Sequence, residues 1–136
     1  MIIGILSETG NEKRVAMLPG EVATLRKLGV EIFVENNAGV KAFASDKDYQ
    51  AAGASVSSRK DLILKCGMLL SVNLIPETDL GMCKNGQVLC SVLNPAENSK
   101  WLELARQKGL TVLGLDLIPR ITRAQAMDIL SSMGTV

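Results

Sequence analysis

Histidine is absent from this chain of 136 residues, and cysteine occurs only three times. Without histidine, the commonest general acid–base and the commonest metal ligand are missing from any site that the chain could form. Cys66, Cys83 and Cys90 are odd in number and show no C-x-x-C spacing, so neither a zinc site nor a disulfide framework is indicated. We interpret these cysteines as buried free thiols in a reducing compartment.

Aromatic residues are scarce, and the chain has no large excess of charge of either sign and no long apolar run. Only 3 % of residues are aromatic, and 15 basic residues balance 14 acidic ones, so nothing favours nucleic acid or an anionic membrane as a partner. No apolar run approaches the roughly 20 residues that span a bilayer, and the N-terminus lacks the basic segment of a signal peptide. These absences predict a cytosolic protein, or one that faces the cytosol, without direct membrane insertion.

A dinucleotide-binding fingerprint is missing as well. The 12 glycines form no G-x-G, so the chain lacks the G-x-G-x-x-G motif that seats a pyrophosphate at the N-terminus of a helix. Apolar residues nevertheless make up 47 % of the chain, which is enough to build a real core. The sequence therefore predicts a single ordered domain, 1–136, that does not by itself hold the pyrophosphate of a dinucleotide.

Short apolar runs alternate with amphipathic stretches along the whole chain. This pattern predicts strands at 2–6, 31–35, 54–56, 68–72, 87–92 and 110–117. It predicts helices at 19–28, 46–52, 58–65, 98–108 and 122–133, with an irregular connection at 73–86. Such alternation is typical of a three-layer α/β fold, doubly wound around a mainly parallel sheet, of flavodoxin-like or Rossmann-like type but without the dinucleotide fingerprint.

The segment 118–132 carries the strongest chemical signal, because it places charged and amide groups directly after a predicted strand. In the helix that follows, Gln125, Asp128 and Ser132 share one face, and the apolar Met127 and Leu130 lie on the opposite side. A purely structural alternative is a capping box in which the side chain of Gln125 returns to the start of the helix. That alternative does not explain the carboxylate or the two arginines of the segment.

Residues 119–133 match the pattern Pro-Arg-x-x-Arg-Ala-Gln-x-x-Asp-x-Leu-Ser-Ser-Met, and so resemble the nicotinamide-facing loop of proton-translocating NAD(P) transhydrogenases. The resemblance implies that Arg120, Gln125 and Asp128 surround the dihydronicotinamide ring as the catalytic residues, with Ser131 close by. Hydride transfer needs no protein acid or base on the nicotinamide, so a site without histidine is consistent with it. The candidate cofactor-binding residues are Arg14, Arg120, Arg123, Gln125, Asp128 and Ser131.

The first part of the chain resembles the same group of enzymes. Residues 4–19 and 35–54 match the opening of alanine dehydrogenases and transhydrogenase α subunits, which share this domain. In alanine dehydrogenases the arginine that matches Arg14 binds the substrate carboxylate, as a bidentate guanidinium can. Without the resemblance, an arginine in a loop rich in charge is more often a solvated surface residue.

Two positions depart from the alanine dehydrogenase pattern. Alanine dehydrogenases are expected to have a catalytic lysine two residues after the position of Lys65 and a histidine at the position of Asn94, but this chain has Gly67 and Asn94 there. Oxidative deamination needs an amine or imidazole to handle a proton, so the departures disfavour that activity. We interpret Lys65 itself as structural.

The resemblance implies a part of a proton-translocating NAD(P) transhydrogenase that transfers hydride between NAD(H) and NADP(H). NAD is the implied cofactor, NADP is bound by another component, and this chain alone is expected to hold neither tightly and to be inactive. The implied partners are a Rossmann domain absent from this chain, the NADP-binding component and a membrane component, at the cytosolic face of the inner membrane; a homodimer is compatible with them.

Other functions remain open from sequence. They are the N-terminal domain of an alanine dehydrogenase-like amino-acid dehydrogenase, and a non-catalytic flavodoxin-like domain that only supports assembly. A flavodoxin-like electron carrier is suggested by the Thr-Gly-Asn sequence at 9–11, but Glu8 and Glu12 beside it would repel a phosphate.

Overall fold

Six strands form one sheet at the centre of the fold. The computed structural model describes residues 2–114, and in this range the strands are β1 (Ile2–Ile5), β2 (Glu31–Glu35), β3 (Ser55–Ser57), β4 (Met68–Leu70), β5 (Val88–Ser91) and β6 (Thr111–Gly114). The helices are α1 (Pro19–Lys27), α2 (Asp46–Ala51), α3 (Arg59–Lys65), α4 (Glu77–Leu80) and α5 (Ser99–Gln107), with one 3₁₀ turn at Val40–Ala42. The helix expected at 122–133 lies outside the described residues.

The strand order is β3-β2-β1-β4-β5-β6, and every neighbouring pair is parallel. The chain moves outward from β1 to β3, crosses back to β4, and then moves outward to β6 on the other side. This reversal leaves β1 and β4 side by side, with Ile5 opposite Leu70. In a doubly wound sheet of this order, the ligand crevice lies beyond the carboxyl ends of these two strands. The predicted α/β fold with a parallel sheet is confirmed.

Local sequence signals explain where the helices begin and end. At α2, the Ser45 hydroxyl accepts a hydrogen bond from the amide of Asp48, and the Asp48 carboxylate accepts one from the amide of Ser45. At α3, the Ser58 hydroxyl accepts a hydrogen bond from the amide of Asp61. After α2 the chain reverses at Gly53, whose φ of 104° is unfavourable for any residue with a Cβ atom. These caps bring each crossover back to the sheet at the predicted place.

Each face of the sheet packs against its own apolar cluster, because side chains alternate between the faces along every strand. On one face, α1 and α2 pack Val22, Leu25 and Tyr49 against Ile3 and Ile5. On the other face lie α3, α4 and α5, which contribute Leu62, Ile63, Leu80, Trp101 and Ala105. None of the helices within residues 2–114 is long and apolar enough to cross a membrane.

The expected irregular connection at 73–86 contains a helix instead. This helix, α4, is one turn of four residues; Pro76 lies at its N-cap and Leu80 is buried. A single turn covers about one period of an apolar pattern, so periodicity in the sequence cannot reveal it. The prediction for this connection was therefore wrong in its central part.

The three thiols are free, but they are not equally buried. Cys66 and Cys83 are buried as predicted, and burial raises the pKa of the Cys66 thiol to about 11. Cys90 is only partly buried, which corrects the prediction for that residue. Its strand, β5, has one well-covered face and one less covered face, and alternation places Cys90 on the less covered one.

A buried glutamine joins α3 to the start of β5. The amide nitrogen of Gln87 donates hydrogen bonds to the carbonyl oxygens of Ile63, at 2.6 Å, and Cys66, at 2.7 Å. Its amide oxygen accepts a hydrogen bond from the backbone N–H of Lys84. One side chain therefore satisfies three backbone groups, including carbonyls that the last turn of α3 leaves without helical partners.

Replacing Gln87 by leucine should lower the free energy of unfolding by about 3 kcal/mol, because buried backbone groups lose their hydrogen-bond partners. Urea denaturation of the two proteins measures the difference. Gln50→Leu, on the exposed side of α2, is the matched control and should change stability little. Equal losses for the two variants would show that the hydrogen bonds of Gln87 contribute nothing specific.

Candidate functional site

A crevice opens where the strand order reverses, beyond the carboxyl ends of β1 and β4. It is narrow and open to solvent, and it is lined by Ser7, Glu8, Thr9, Arg59, Ser71, Asn73, Leu74, Ile75 and Pro76. Two chain segments form most of its walls: the loop that leaves β1 and the connection that leaves β4. The position is the one at which open α/β sheets bind their ligands.

Glu8 fastens one wall of the crevice to the other. Its two carboxylate oxygens accept hydrogen bonds from the backbone N–H groups of Val72, at 2.8 Å, and Asn73, at 2.9 Å. These two amides come just after β4. The neighbouring strand β1 has already ended at this level of the sheet. Glu8 thus occupies a pair of backbone donors that would otherwise suit an anionic group of a ligand.

Glu12 and Arg14 form a paired fork in the loop after β1. Nε and Nη2 of Arg14 each lie 2.9 Å from a carboxylate oxygen of Glu12, and the Nδ2 of Asn73 donates to the same carboxylate at 2.9 Å. The hydrogen bonds from Arg14, followed by that from Asn73, hold the pKa of Glu12 far below its usual range. The stabilisation from this carboxylate is therefore complete above its unfolded pKa of about 4.3 and is lost as the pH falls through the folded value.

Arg14 is the only predicted site residue that lies within the described residues, and its guanidinium faces solvent. Its side chain is 70 % exposed, and its bidentate partner in this structure is Glu12 of the same loop. Binding of a substrate carboxylate by Arg14 stays a prediction. Arg120, Arg123, Gln125, Asp128 and Ser131 lie outside residues 2–114, so their grouping around a nicotinamide ring also stays a prediction.

Arg59 forms a charge network that the sequence analysis missed. Its Nε lies 2.7 Å from Asp79, and its Nη1 lies 2.8 Å from Glu35 and 3.1 Å from the carbonyl oxygen of Ser7. Glu35 also accepts a hydrogen bond from the backbone N–H of Ser7, at 2.9 Å. Burial opposes the charge of Arg59, but the hydrogen bonds to Asp79 and Glu35 outweigh it and raise its pKa. The network joins the loop after β1 to β2, α3 and α4 beside the crevice.

No local pattern could have revealed this network. Arg59 follows the helix cap Ser58, Glu35 ends a strand, and Asp79 lies in the connection expected to be irregular. Arg59 is 24 and 20 residues away from its two partners along the chain. Each side chain, taken alone, resembles an exposed charge next to a turn. Only the strand order brings the three together.

The two departures from the alanine dehydrogenase pattern have different locations. Gly67 precedes β4, at the amino end of the strand, whereas the crevice lies beyond the carboxyl ends of the strands. Gly67 therefore lies away from the crevice in this structure, and what its departure means for the activity stays a prediction. Asn94 follows β5, beyond the same carboxyl ends as the crevice. Ser71 and Asn73 are the polar residues after β4 that line the crevice.

The described part of the crevice still lacks a proton-handling amine. Its lining within residues 2–114 includes neither lysine nor histidine. Lys65 lies elsewhere, with its Nζ 4.7 Å from the ring centroid of Phe33, which agrees with a structural role. Within the same residues, no cluster of three or more acidic or cysteine side chains is arranged to hold a metal ion.

Removing the central cation of the network should destabilise the fold. Arg59→Met leaves two carboxylates without their partner, and Glu35 and Asp79 are only 17 % and 10 % exposed, so we expect a loss of about 3 kcal/mol. Arg59→Lys keeps the positive charge but not the planar guanidinium group that bonds both carboxylates, so its loss of unfolding free energy should be smaller. Denaturant melts measure both variants. Arg106→Met is the control, because that arginine is exposed and its ion pair within residues 2–114 is with Glu103 on its own helix; a comparable loss there would contradict the prediction.

Comparisons with known proteins agree with one another. The family model described as "Alanine dehydrogenase/PNT, N-terminal domain" matches residues 4–136. The NAD(P) transhydrogenase subunit alpha of Cereibacter sphaeroides is 41 % identical over 126 residues, which is 92 % of this chain and 24 % of that protein. The crystal structure of transhydrogenase from Sinorhizobium meliloti superposes with a TM-score of 0.85 at 33 % identity, covering 97 % of this chain and 40 % of that one.

A solved L-alanine dehydrogenase is nearly as similar in structure. It superposes with a TM-score of 0.82 at 30 % identity, covering 90 % of this chain and 34 % of that one. The chain thus spans about a quarter of the curated relative and less than half of each solved chain. The shape of the domain alone does not separate the two kinds of relative.

Proposed function

This chain belongs to the alanine dehydrogenase/PNT N-terminal domain family, and we propose that it is the first domain of the NAD(H)-handling component of a proton-translocating NAD(P) transhydrogenase. The observation that carries the proposal is the 41 % identity to a transhydrogenase α subunit, together with the match at 119–133. The complete enzyme would transfer hydride between NAD(H) and NADP(H). Proton movement would take place in a membrane component, and this domain would lie in the cytoplasm or at the cytosolic face of the inner membrane.

The domain would supply a wall of the nucleotide site rather than the pyrophosphate site. The loop after β1 places Glu8 and Glu12 near the crevice, and α1 begins at Pro19 without a side-chain cap. Acidic side chains and a first helical residue without an N–H do not fit a pyrophosphate. We therefore infer that 1–136 is one N-terminal domain. A Rossmann domain elsewhere in the complete protein would hold the adenosine and pyrophosphate of NAD, and another component would hold NADP.

Within the complete enzyme, the segment after β6 would face the nicotinamide. Arg120 and Gln125 would position the dihydronicotinamide and its ribose, and Asp128 would hold Arg120 or a substituent of the ring. Ser131 would support the loop, and Arg123 would add a cation near the cofactor. These groups need only orient the ring and exclude water, because the nucleotide itself supplies the hydride.

An amino-acid dehydrogenase is the second candidate, favoured by the L-alanine dehydrogenase fold match and by the forked arginine at position 14. The crevice lining of the described residues, which has neither lysine nor histidine, supports it less. Assays of the complete protein separate the two functions. Reduction of NADP⁺ by NADH, without NAD⁺ reduction by alanine, is the result we expect. The reverse result would overturn the proposal.

The 136-residue chain alone should bind NADH weakly or not at all. The glycine fingerprint is missing, so the adenosine and pyrophosphate lose their principal contacts. Isothermal titration calorimetry with NADH is the measurement. Micromolar affinity for this chain would show that the cofactor site had been assigned to the wrong domain.

Gln125→Asn keeps the amide but shortens its reach by one methylene. In the complete enzyme this change should lower the hydride-transfer rate by roughly 10-fold or more, because the ring is held less well. Stability should fall by at most about 1 kcal/mol through a weakened capping box. Stopped-flow kinetics and a thermal melt of the same variant measure both effects. A lower melting temperature with an unchanged rate would return Gln125 to a purely structural role.

A further inference from the structure

The crevice beyond β1 and β4 contains groups that could bind an anion, but carboxylates of the chain itself already engage them. Glu8 accepts hydrogen bonds from the backbone N–H groups of Val72 and Asn73. Arg59 supplies a positive charge to the lining, and two carboxylates pair with it at 2.7 and 2.8 Å. A carboxylate of a ligand would therefore have to displace one that is already bound.

The ionic groups bonded to the lining give the crevice an excess of negative charge. Among residues 2–114, four carboxylates stand against two guanidinium groups; they are those of Glu8, Glu12, Glu35 and Asp79, and those of Arg14 and Arg59. Lys41, whose Nζ donates to the carbonyl oxygen of Gly10, lies next to these groups and reduces the excess by one charge. Like charges repel more strongly in a partly buried site than in bulk water, so the crevice disfavours an anionic group.

The neutral polar groups of the lining suit a carboxamide. The Nδ2 of Asn73 donates to the carboxylate of Glu12 at 2.9 Å, and this bond fixes which end of the amide is the donor, because a carboxylate can only accept. Asn73 therefore offers Oδ1, an acceptor, to a ligand, and Thr9 offers a hydroxyl, which can donate. The NH₂ of a carboxamide can bond the first and its C=O the second. A carboxylate has no hydrogen for Asn73 and adds a charge beside Glu8.

We propose that the crevice binds the carboxamide of a nicotinamide ring and rejects a carboxylate in the same position, with Glu8 and Asn73 as the residues that determine this specificity. The inference rests on the proposed function, in which the segment after β6 faces the nicotinamide. β6 ends at the same edge of the sheet as β4 and lies two strand spacings, about 10 Å, away from it. One ring, together with the side chains that contact it, can cover that distance. The ring belongs to NAD(H) or to NADP(H).

Nucleotides that differ only in this group test the proposal. In the deamido forms of NAD⁺ and NADP⁺, a carboxylate replaces the carboxamide and the rest of the nucleotide is unchanged. Calorimetric titration of the complete enzyme with the two members of each pair gives the ratio of their dissociation constants. For at least one pair, we expect the deamido form to bind roughly 10-fold more weakly, because it loses a hydrogen bond and is repelled by Glu8.

Two variants locate this discrimination in the crevice. Glu8→Gln removes the charge and should reduce the ratio to about one third, because the deamido form is repelled less. Asn73→Leu removes the acceptor and should weaken binding of the amide form about five-fold, with little effect on the deamido form. Asn73 is exposed, so this second variant tests the proposal even if Glu8→Gln does not fold. The pair of nucleotides whose ratio responds identifies the ring that enters the crevice.

The control variants are Glu31→Gln and Gln107→Leu. Both residues are exposed and lie toward the amino ends of the strands, so these variants should leave the ratio unchanged. Equal binding of the amide and deamido forms, or a ratio that neither crevice variant changes, would overturn the inference in an enzyme that still transfers hydride between the nucleotides. Failure of the complete enzyme to bind any of the four nucleotides would overturn the proposed function as well.

Discussion

The reversal of strand order between β1 and β4 is the constraint on which the rest of this structure depends. The helices that follow two such neighbouring strands pack on opposite faces of the sheet. The backbone beyond the carboxyl ends of the strands therefore has no hydrogen-bond partners in the sheet. Side chains replace them: Glu35 and Arg59 bond the backbone of Ser7, and Glu8 bonds the amides that follow β4. The acidic residues near the crevice are thus required by the backbone itself. Their presence at this point does not by itself indicate catalysis.

The fold could be predicted from the sequence because its signals are local. Apolar runs indicate the strands. Ser45 and Ser58 indicate where helices begin, and Gly53 indicates where one ends. The Arg59 network could not be predicted, because its members meet only after the strands take their order. The single-turn helix α4 was missed because four residues do not form a periodic pattern.

The candidate site was predicted less completely than the fold. Arg14 lies near the crevice, but the sequence did not reveal that a carboxylate of the same loop occupies its fork. The sequence also did not reveal that Gly67 lies at the amino end of β4, one strand length away from the crevice. A residue matched to a family motif can be assigned to a site only when it is known at which end of its strand the residue lies.

The two activities of this family share one scaffold, as nearly equal TM-scores of 0.85 and 0.82 indicate. The choice between them therefore depends on side chains added at the crevice edge, which is the usual division between fold and site. A deaminating enzyme must exchange a proton with its substrate, whereas hydride exchange between two nucleotides needs none from the protein. In the part of the crevice that the structure describes, the amides of Val72 and Asn73 and the guanidinium of Arg59 are engaged by carboxylates of the chain itself.

The titratable side chains of this domain constrain how it can respond to pH. The chain has no histidine, the pKa of Glu12 lies far below neutrality, and burial raises the pKa values of all three thiols. None of these groups changes its protonation between pH 5 and 8. They therefore form a fixed electrostatic background over this range, so any response of the complete protein to pH would have to begin at other groups.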